Sequence, residues 1–185
     1  MGKLIVSLSP HVHGTDSVER NMYGVIIALL PALLVSFAYF GLGAVVVCAA
    51  SVLACVFFEW VINKYLLNNS RNTITDGSAI LTGLLLGFNL PSNIPVWIVI
   101  IGALFAIGVA KMTFGGLGCN IFNPALAGRC FLLVSFPAQM TSWPEAGQLA
   151  QYADATTGAT PLALIKASQF DQLPDVVTLF VGYPG

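Results

Sequence analysis

YGVIIALLPALLVSFAYFG (23–41) and AVVVCAASVLACVFFEWVINKYLL (44–67) together decide the fold class. Each run is close to the ~20 apolar residues that carry a helix across a bilayer. Only Gly41-Leu42-Gly43 joins them, so the pair reads as a helical hairpin. Pro31 lies inside the first run and predicts a kink of the kind that neighbouring membrane helices tolerate. Composition points the same way. Of the 185 residues 57% are hydrophobic and 8% charged, and mean hydropathy is +0.85. A soluble domain carries about 25% charged residues, so this chain cannot cover its surface with charge and its solvent is lipid. A net charge of −1 gives no basis for nucleic-acid binding. The opening, MGKLIVSLSPHVHGTDSVERNMYG, has no cleavage-type site, so the first spanning helix is expected to be its own insertion signal.

Further apolar segments follow. SAILTGLLLGFNLP (78–91) and ALAGRCFLLVSF (125–136) are short for a span, whereas PVWIVIIGALFAIGVA (95–110) is a further spanning candidate. The short segments read either as tilted spans or as discontinuous helices whose ends face a protein-lined site. The fold class is therefore an all-α integral membrane protein with about five transmembrane segments. Residues 1–21 form a cytoplasmic N-terminal segment, 22–139 the transmembrane helices and 140–174 an outer-face segment. A further span begins within 175–185 and is not completed there. With a cytoplasmic N-terminus, Lys3, Arg20, Lys64, Arg71 and Lys111 fall inside and only Lys166 outside, a positive-inside pattern. Glu59, beside Trp60, reads as a carboxylate reaching the interface or as a functional intramembrane acid. Cys48 and Cys55, seven apart on one helical face, read as buried small hydrophobes.

Three polar stretches interrupt this pattern. In DATTGATPLALIK (154–166), Pro161 suits the first position of a helix and Thr160 its N-cap. The same geometry would hold a phosphate, because the first amides of a helix attract anions. In GGLGCNIFNPALAGR (115–129), Asn123 and Pro124 start a helix and place Arg129 in its second turn. That arginine needs either a structural partner or an anion such as a flavin phosphate. In TDGSAILTG (75–83), Asp76 or Ser78 reads as a cap or a ligand contact. His11 and His13 lack a third residue at metal-binding spacing, and no metal site is expected.

SPHVHGTDSVERNMYGVIIALLPALL, TDGSAILTGLLLGFNLP, AKMTFGGLGCNIFNPALAGRCFL and TTGATPL, in this order, resemble the D subunit of the Rnf electron-transport complex. The B subunit of the sodium-pumping NADH:quinone reductase is the more distant relative. The resemblance covers nearly the whole chain but only the N-terminal half of the family pattern. It implies FMN joined through its phosphate to the last Thr of an S/T-GAT motif. That motif maps onto Thr157, Gly158, Ala159 and Thr160, with Thr160 as the attachment residue. It also implies a second, non-covalent flavin, riboflavin, which it does not assign to residues. A flavin transferase would act on the periplasmic face of the bacterial inner membrane. Flavin- and iron–sulfur-bearing subunits of the complex would be the partners, and ferredoxin and NAD would be handled by them. Arg129 and Asn123 are the remaining candidate cofactor contacts, and no catalytic residue is expected. The alternative is a channel or transporter fragment of the aquaporin or urea-transporter kind, because Asn123-Pro124-Ala125 resembles the helix starts of such channels.

Overall fold

The computed structural model describes residues 17–66, 73–145, 147–150, 152, 155, 157–169, 171, 173 and 175–181. His11, His13 and the last four residues lie outside the described set. Ordered structure among the described residues is helical, with one isolated antiparallel bridge between Pro144 and Thr157.

Helix α1 (Val18–Val61) starts at Ser17, whose side chain accepts from the Arg20 amide at 3.1 Å. Helical dihedrals run through Pro31, and the break falls at Gly41 (φ 57, ψ −139), a conformation open to glycine. This break is a reversal. Tyr23, in the first limb, donates its hydroxyl to the Thr75 carbonyl at 3.2 Å, and Met22, Tyr23 and Ile26 lie beside Gly77. The neighbouring Ser78 is tied through Lys111 to Glu59 in the second limb. Residues 23 and 59 thus share one end of the molecule, where a straight helix would hold them about 54 Å apart. The expected hairpin forms, and it turns at Gly41, within the Gly41-Leu42-Gly43 link.

The second limb ends in wide π-type turns (Ile62–Leu66). After a 3-10 turn (Thr73–Asp76), α2 (Ser78–Phe88) runs back along that limb. Gly83 packs on the backbone of Ser51 and Val52, and Gly87 on Cys48. Ser51 seals the contact by donating to the Gly83 carbonyl at 2.8 Å. Helix α3 (Val96–Leu104) continues through π-type turns (Phe105–Lys111) and a 3-10 turn (Met112–Phe114). Helix α4 (Pro124–Ser135) runs antiparallel to it, with Leu132 over Gly102 and Gly128 over Ala106. Helices α5 (Pro137–Met140), α6 (Pro161–Lys166) and α7 (Val176–Val181) are short.

Val47, Cys55, Leu86, Ile98, Ile107 and Leu132 form the centre of the core, and Cys48 and Cys55 are buried as expected. Val18–Leu66 and Val96–Phe114 are long and apolar enough to cross a membrane. At about 16–18 Å, α2 and α4 fall short of the roughly 30 Å hydrocarbon core.

A strap over residues 141–152 closes one end of the bundle. Its Gly147 amide donates to the Tyr39 carbonyl at 2.9 Å, and its Leu149 carbonyl accepts from the Leu42 amide at 3.0 Å. Tyr152 donates to the Ile94 carbonyl at 2.6 Å, and Asn93 donates to the Ser142 hydroxyl at 3.1 Å. The tip of the hairpin and the turn before α3 are therefore tied to the same segment. The opposite end holds Tyr23, Glu59, Ser78 and Lys111.

Candidate functional site

The TTGATP motif extends from the strap. Thr157 pairs with Pro144 through the isolated bridge. Gly158 lies under Glu145, whose Oε1 sits 2.5 Å from where a Cβ would be, so a side chain at this position would displace the carboxylate. Ala159 leads to Thr160, which takes the N-cap of α6 and accepts from the Ala163 amide at 3.3 Å. Pro161 fills the first helical position, where its missing N–H is no loss. The cap expected from the sequence is present. The Thr160 hydroxyl follows a glycine and an alanine, so little side-chain bulk precedes it.

The other end of the bundle carries the principal charges. Lys111 donates to Glu59 Oε2 at 2.7 Å and to Ser78 Oγ at 2.6 Å. The ion pair is buried, Lys111 being 2% exposed and Glu59 0%. Ser78 donates in turn to Asp76 Oδ1 at 2.5 Å, and the same oxygen accepts the Ser78 amide at 2.8 Å. Two expectations are corrected. Glu59 does not reach an interface, because its carboxylate turns inward to an ammonium. Lys111 is not a loop charge and leaves the positive-inside count. A third detail also changes. The formal N-cap of α2 is Gly77 (φ 76), and Asp76 satisfies the Ser78 amide from one residue further out.

Beside the pair lies a cavity of about 270 Å³, with Ser78, Thr82, Lys111, Asn120 and Asn123 among its lining residues. Asn120 uses its amide nitrogen on the Phe122 carbonyl at 2.7 Å. Asn123 uses its oxygen to cap α4 at the Ala125 amide, 3.0 Å away. One amide carbonyl and one NH₂ of the two asparagines therefore remain for a ligand. The volume is just under the roughly 300–1,000 Å³ of small-molecule pockets, and apolar walls with a few polar groups are their usual character.

The six residues singled out from the sequence do not converge. Thr157, Gly158, Ala159 and Thr160 belong to the strap end, and Asn123 belongs to the Lys111 end. Arg129 lies on α4 and donates to Asn89 Oδ1 at 3.0 Å, a structural partner that meets its need without an anion. Sequence reasoning missed Lys111 and Asn120 as site residues, and had Ser78 only as a cap or a ligand contact. The available signal was an acid near the end of one apolar run and a base just past another, which must meet if both are buried.

Comparison with known proteins adds the family. A model described as the NQR2, RnfD, RnfE family matches residues 5–185. The chain belongs to this family. The D subunit of the Na(+)-translocating ferredoxin:NAD(+) oxidoreductase complex of Acetobacterium woodii is 47% identical over 182 residues, covering 98% of this chain and 55% of that protein. The D subunit of the proton-translocating counterpart from Clostridium ljungdahlii is 45% identical over 168 residues, covering 91% and 50%. The D subunit of the ion-translocating oxidoreductase complex of Haemophilus ducreyi is 42% identical over 135 residues, covering 73% and 39%. The chain thus spans about half the length of the first two relatives. Membership of the NQR2, RnfD, RnfE family and the long apolar helices agree on a membrane protein.

Proposed function

We propose that this chain is part of the flavin-carrying membrane subunit of an Rnf-type ion-translocating ferredoxin:NAD oxidoreductase, with FMN esterified to Thr160. The observation that carries the proposal is Thr160 itself, an N-cap threonine on a strap bonded to the end of an apolar bundle. Attachment from FAD balances as a transfer. The Thr160 hydroxyl oxygen forms a bond to the FMN phosphorus, the pyrophosphate bond of FAD breaks, AMP leaves, and the hydroxyl proton passes to the transferase. Bound FMN supplies reversible electron acceptance, and the chain's part is to hold it and shape its surroundings. The strap limits the travel of the tether.

The orientation fits this reading. The strap end lies opposite Tyr23 and Lys111, so a cytoplasmic N-terminus puts Thr160 on the periplasmic side. Lys3, Arg20, Lys64 and Arg71 keep the positive-inside bias after Lys111 is discounted. We assign the two limbs of α1, the α3 run and the shorter α2 and α4 as five membrane segments. The second, non-covalent flavin belongs in the Lys111 cavity, whose asparagine amides and ammonium match ring carbonyl and imide groups. Partner subunits with flavin and iron–sulfur centres deliver and remove electrons. Whether sodium or protons are moved is a property of the whole complex; the two similar relatives are named for different ions.

The test is the intact mass of the full-length subunit expressed with a flavin transferase, beside Thr160→Asn. Asparagine keeps the helix cap but has no hydroxyl to esterify. An FMN-sized increment less one water, absent from the variant, is expected. A wild-type subunit without the increment, under a transferase active on another substrate, would reduce TTGATP to a cap and revive the transporter reading.

A further inference from the structure

We infer that the buried Glu59–Lys111 pair is a field-setting device for the redox ring in the adjoining cavity, Lys111 presenting its ammonium to the ring and Glu59 fixing it there. The inference rests on the proposal that this cavity holds the non-covalent flavin.

Stability alone does not account for the pair. Replacing a buried ion pair with packed apolar residues is often neutral or stabilising, and ionisable groups inside membrane helices mark functional sites. The arrangement is also one-sided. Lys111 and Ser78 line the cavity, and Glu59 is not among the lining residues. The cavity therefore faces the positive end of a dipole rather than a neutral pair. Three further details fix that polarity. Ser78 donates its proton to Asp76, so toward Lys111 it can only accept. Lys111 has three N–H donors, of which Glu59 and Ser78 take two, leaving a third for a ligand oxygen. Asp76, the other carboxylate of the network, accepts from the Ser78 amide and hydroxyl.

The chemistry follows from charge. A flavin held here would gain one negative charge with each electron from a one-electron iron–sulfur donor of a partner subunit and lose it to the next acceptor of the complex, with no bond formed or broken. The Lys111 ammonium would offset the added charge, in a medium where charges interact more strongly than in water. Lys111 is therefore a tuning residue that acts through its charge, and Glu59 acts only through it, as a positioning residue.

The experiment is a spectroelectrochemical titration of the flavins in the purified complex. Two double variants are compared with the wild type, Glu59→Gln/Lys111→Gln and Glu59→Lys/Lys111→Glu. The first removes the dipole and keeps a hydrogen-bonding pair. The second keeps an ion pair, inverts the dipole, and still assembles a charged core where the neutral variant fails to. We expect the non-covalent flavin to be retained in both, its potential to shift negative in the neutral pair and further negative in the inverted one, and the covalent flavin to stay where it was. An unchanged potential in both variants would overturn the inference while leaving the cavity assignment intact. Loss of the non-covalent flavin, with the covalent one unperturbed, would make the pair a binding clamp instead and overturn it too. A wild-type complex that releases no flavin on denaturation would overturn the cavity assignment first and this inference with it.

Discussion

Gly41→Ala is expected to release the strap. The wild-type residue sits at φ 57, where a Cβ costs about 1–2 kcal/mol. That Cβ would also lie 2.2 Å from the Leu149 oxygen and 2.4 Å from its Cα, both backbone atoms that no rotamer change can move. Relief requires the hairpin tip and the strap to part by more than about 1 Å, since carbon–carbon contacts settle near 3.5–4.0 Å. Parting breaks the bonds from Leu42 to Leu149 and from Gly147 to Tyr39, at 3.0 and 2.9 Å. Each is worth about 0.5–1.5 kcal/mol. The φ cost is the same with the strap open or docked, so the two bonds set about 1–3 kcal/mol against the docked strap, or at least about a fivefold rise in its opening. Amide hydrogen exchange by mass spectrometry, on the full-length subunit in lipid nanodiscs, reads this directly. Peptides covering 141–152 should exchange at least about five times faster, while α2 keeps its protection. Gly24→Ala, where a Cβ meets nothing within 4 Å, is the matched control and should change neither. Strap exchange equal to wild type in Gly41→Ala would refute the claim that this backbone contact holds the flavin segment in place.

Other consequences are smaller but equally specific. Gly83→Ala puts a Cβ 2.6 Å from the Val52 Cα, whereas Gly102→Ala meets the far end of the Leu132 side chain at 2.5 Å. Thermal unfolding should therefore rank Gly83→Ala as the more damaging, by about 1–3 kcal/mol of overpacking, because Leu132 can rotate and the Val52 backbone cannot. Asn123→Ala should cost about 1 kcal/mol through the α4 cap and also lose the non-covalent flavin; Asn123→Asp should keep the cap and its stability but lose the flavin, read as flavin released on denaturation. Burial pushes the Tyr152 phenol above its usual value near 10, so the unfolded chain ionises first as pH rises. Strap docking should then be intact below about pH 10 and weaken above it, with Tyr152→Phe removing that dependence in the same exchange measurement.

Much of the fold was legible because its cause is local. Two apolar runs of membrane-spanning length with only Leu42 and Gly43 between them have few options besides reversal, and the reversal is there. Asn123-Pro124 and Thr160-Pro161 announced helix starts for the same reason: a side-chain oxygen before a residue that needs no amide donor is a local solution to a local problem. The turn read at Gly41-Leu42-Gly43 falls at Gly41, where a positive φ needs glycine, while Pro31 keeps helical dihedrals within the first limb.

The polar end of the bundle was harder to read, for a reason that concerns charge in a low-dielectric interior. Glu59 stands near the end of one apolar run and Lys111 just past another, and at such positions a charge is ordinarily solvated by the interface. Each residue taken singly therefore has a satisfactory outward reading. Only the antiparallel packing of α2 on the second limb of α1, with the α3 run returning beside them, brings the two within 2.7 Å. Once they meet, neither can be removed alone without leaving an uncompensated buried charge, at about 3–5 kcal/mol. The same coupling explains why the threonine motif was easier to find than the cavity. A tether needs one hydroxyl at one helix start, which a short stretch of sequence can specify. A polarised cavity needs residues from α2, the α3 run and the start of α4 to arrive together, and no local pattern encodes their meeting.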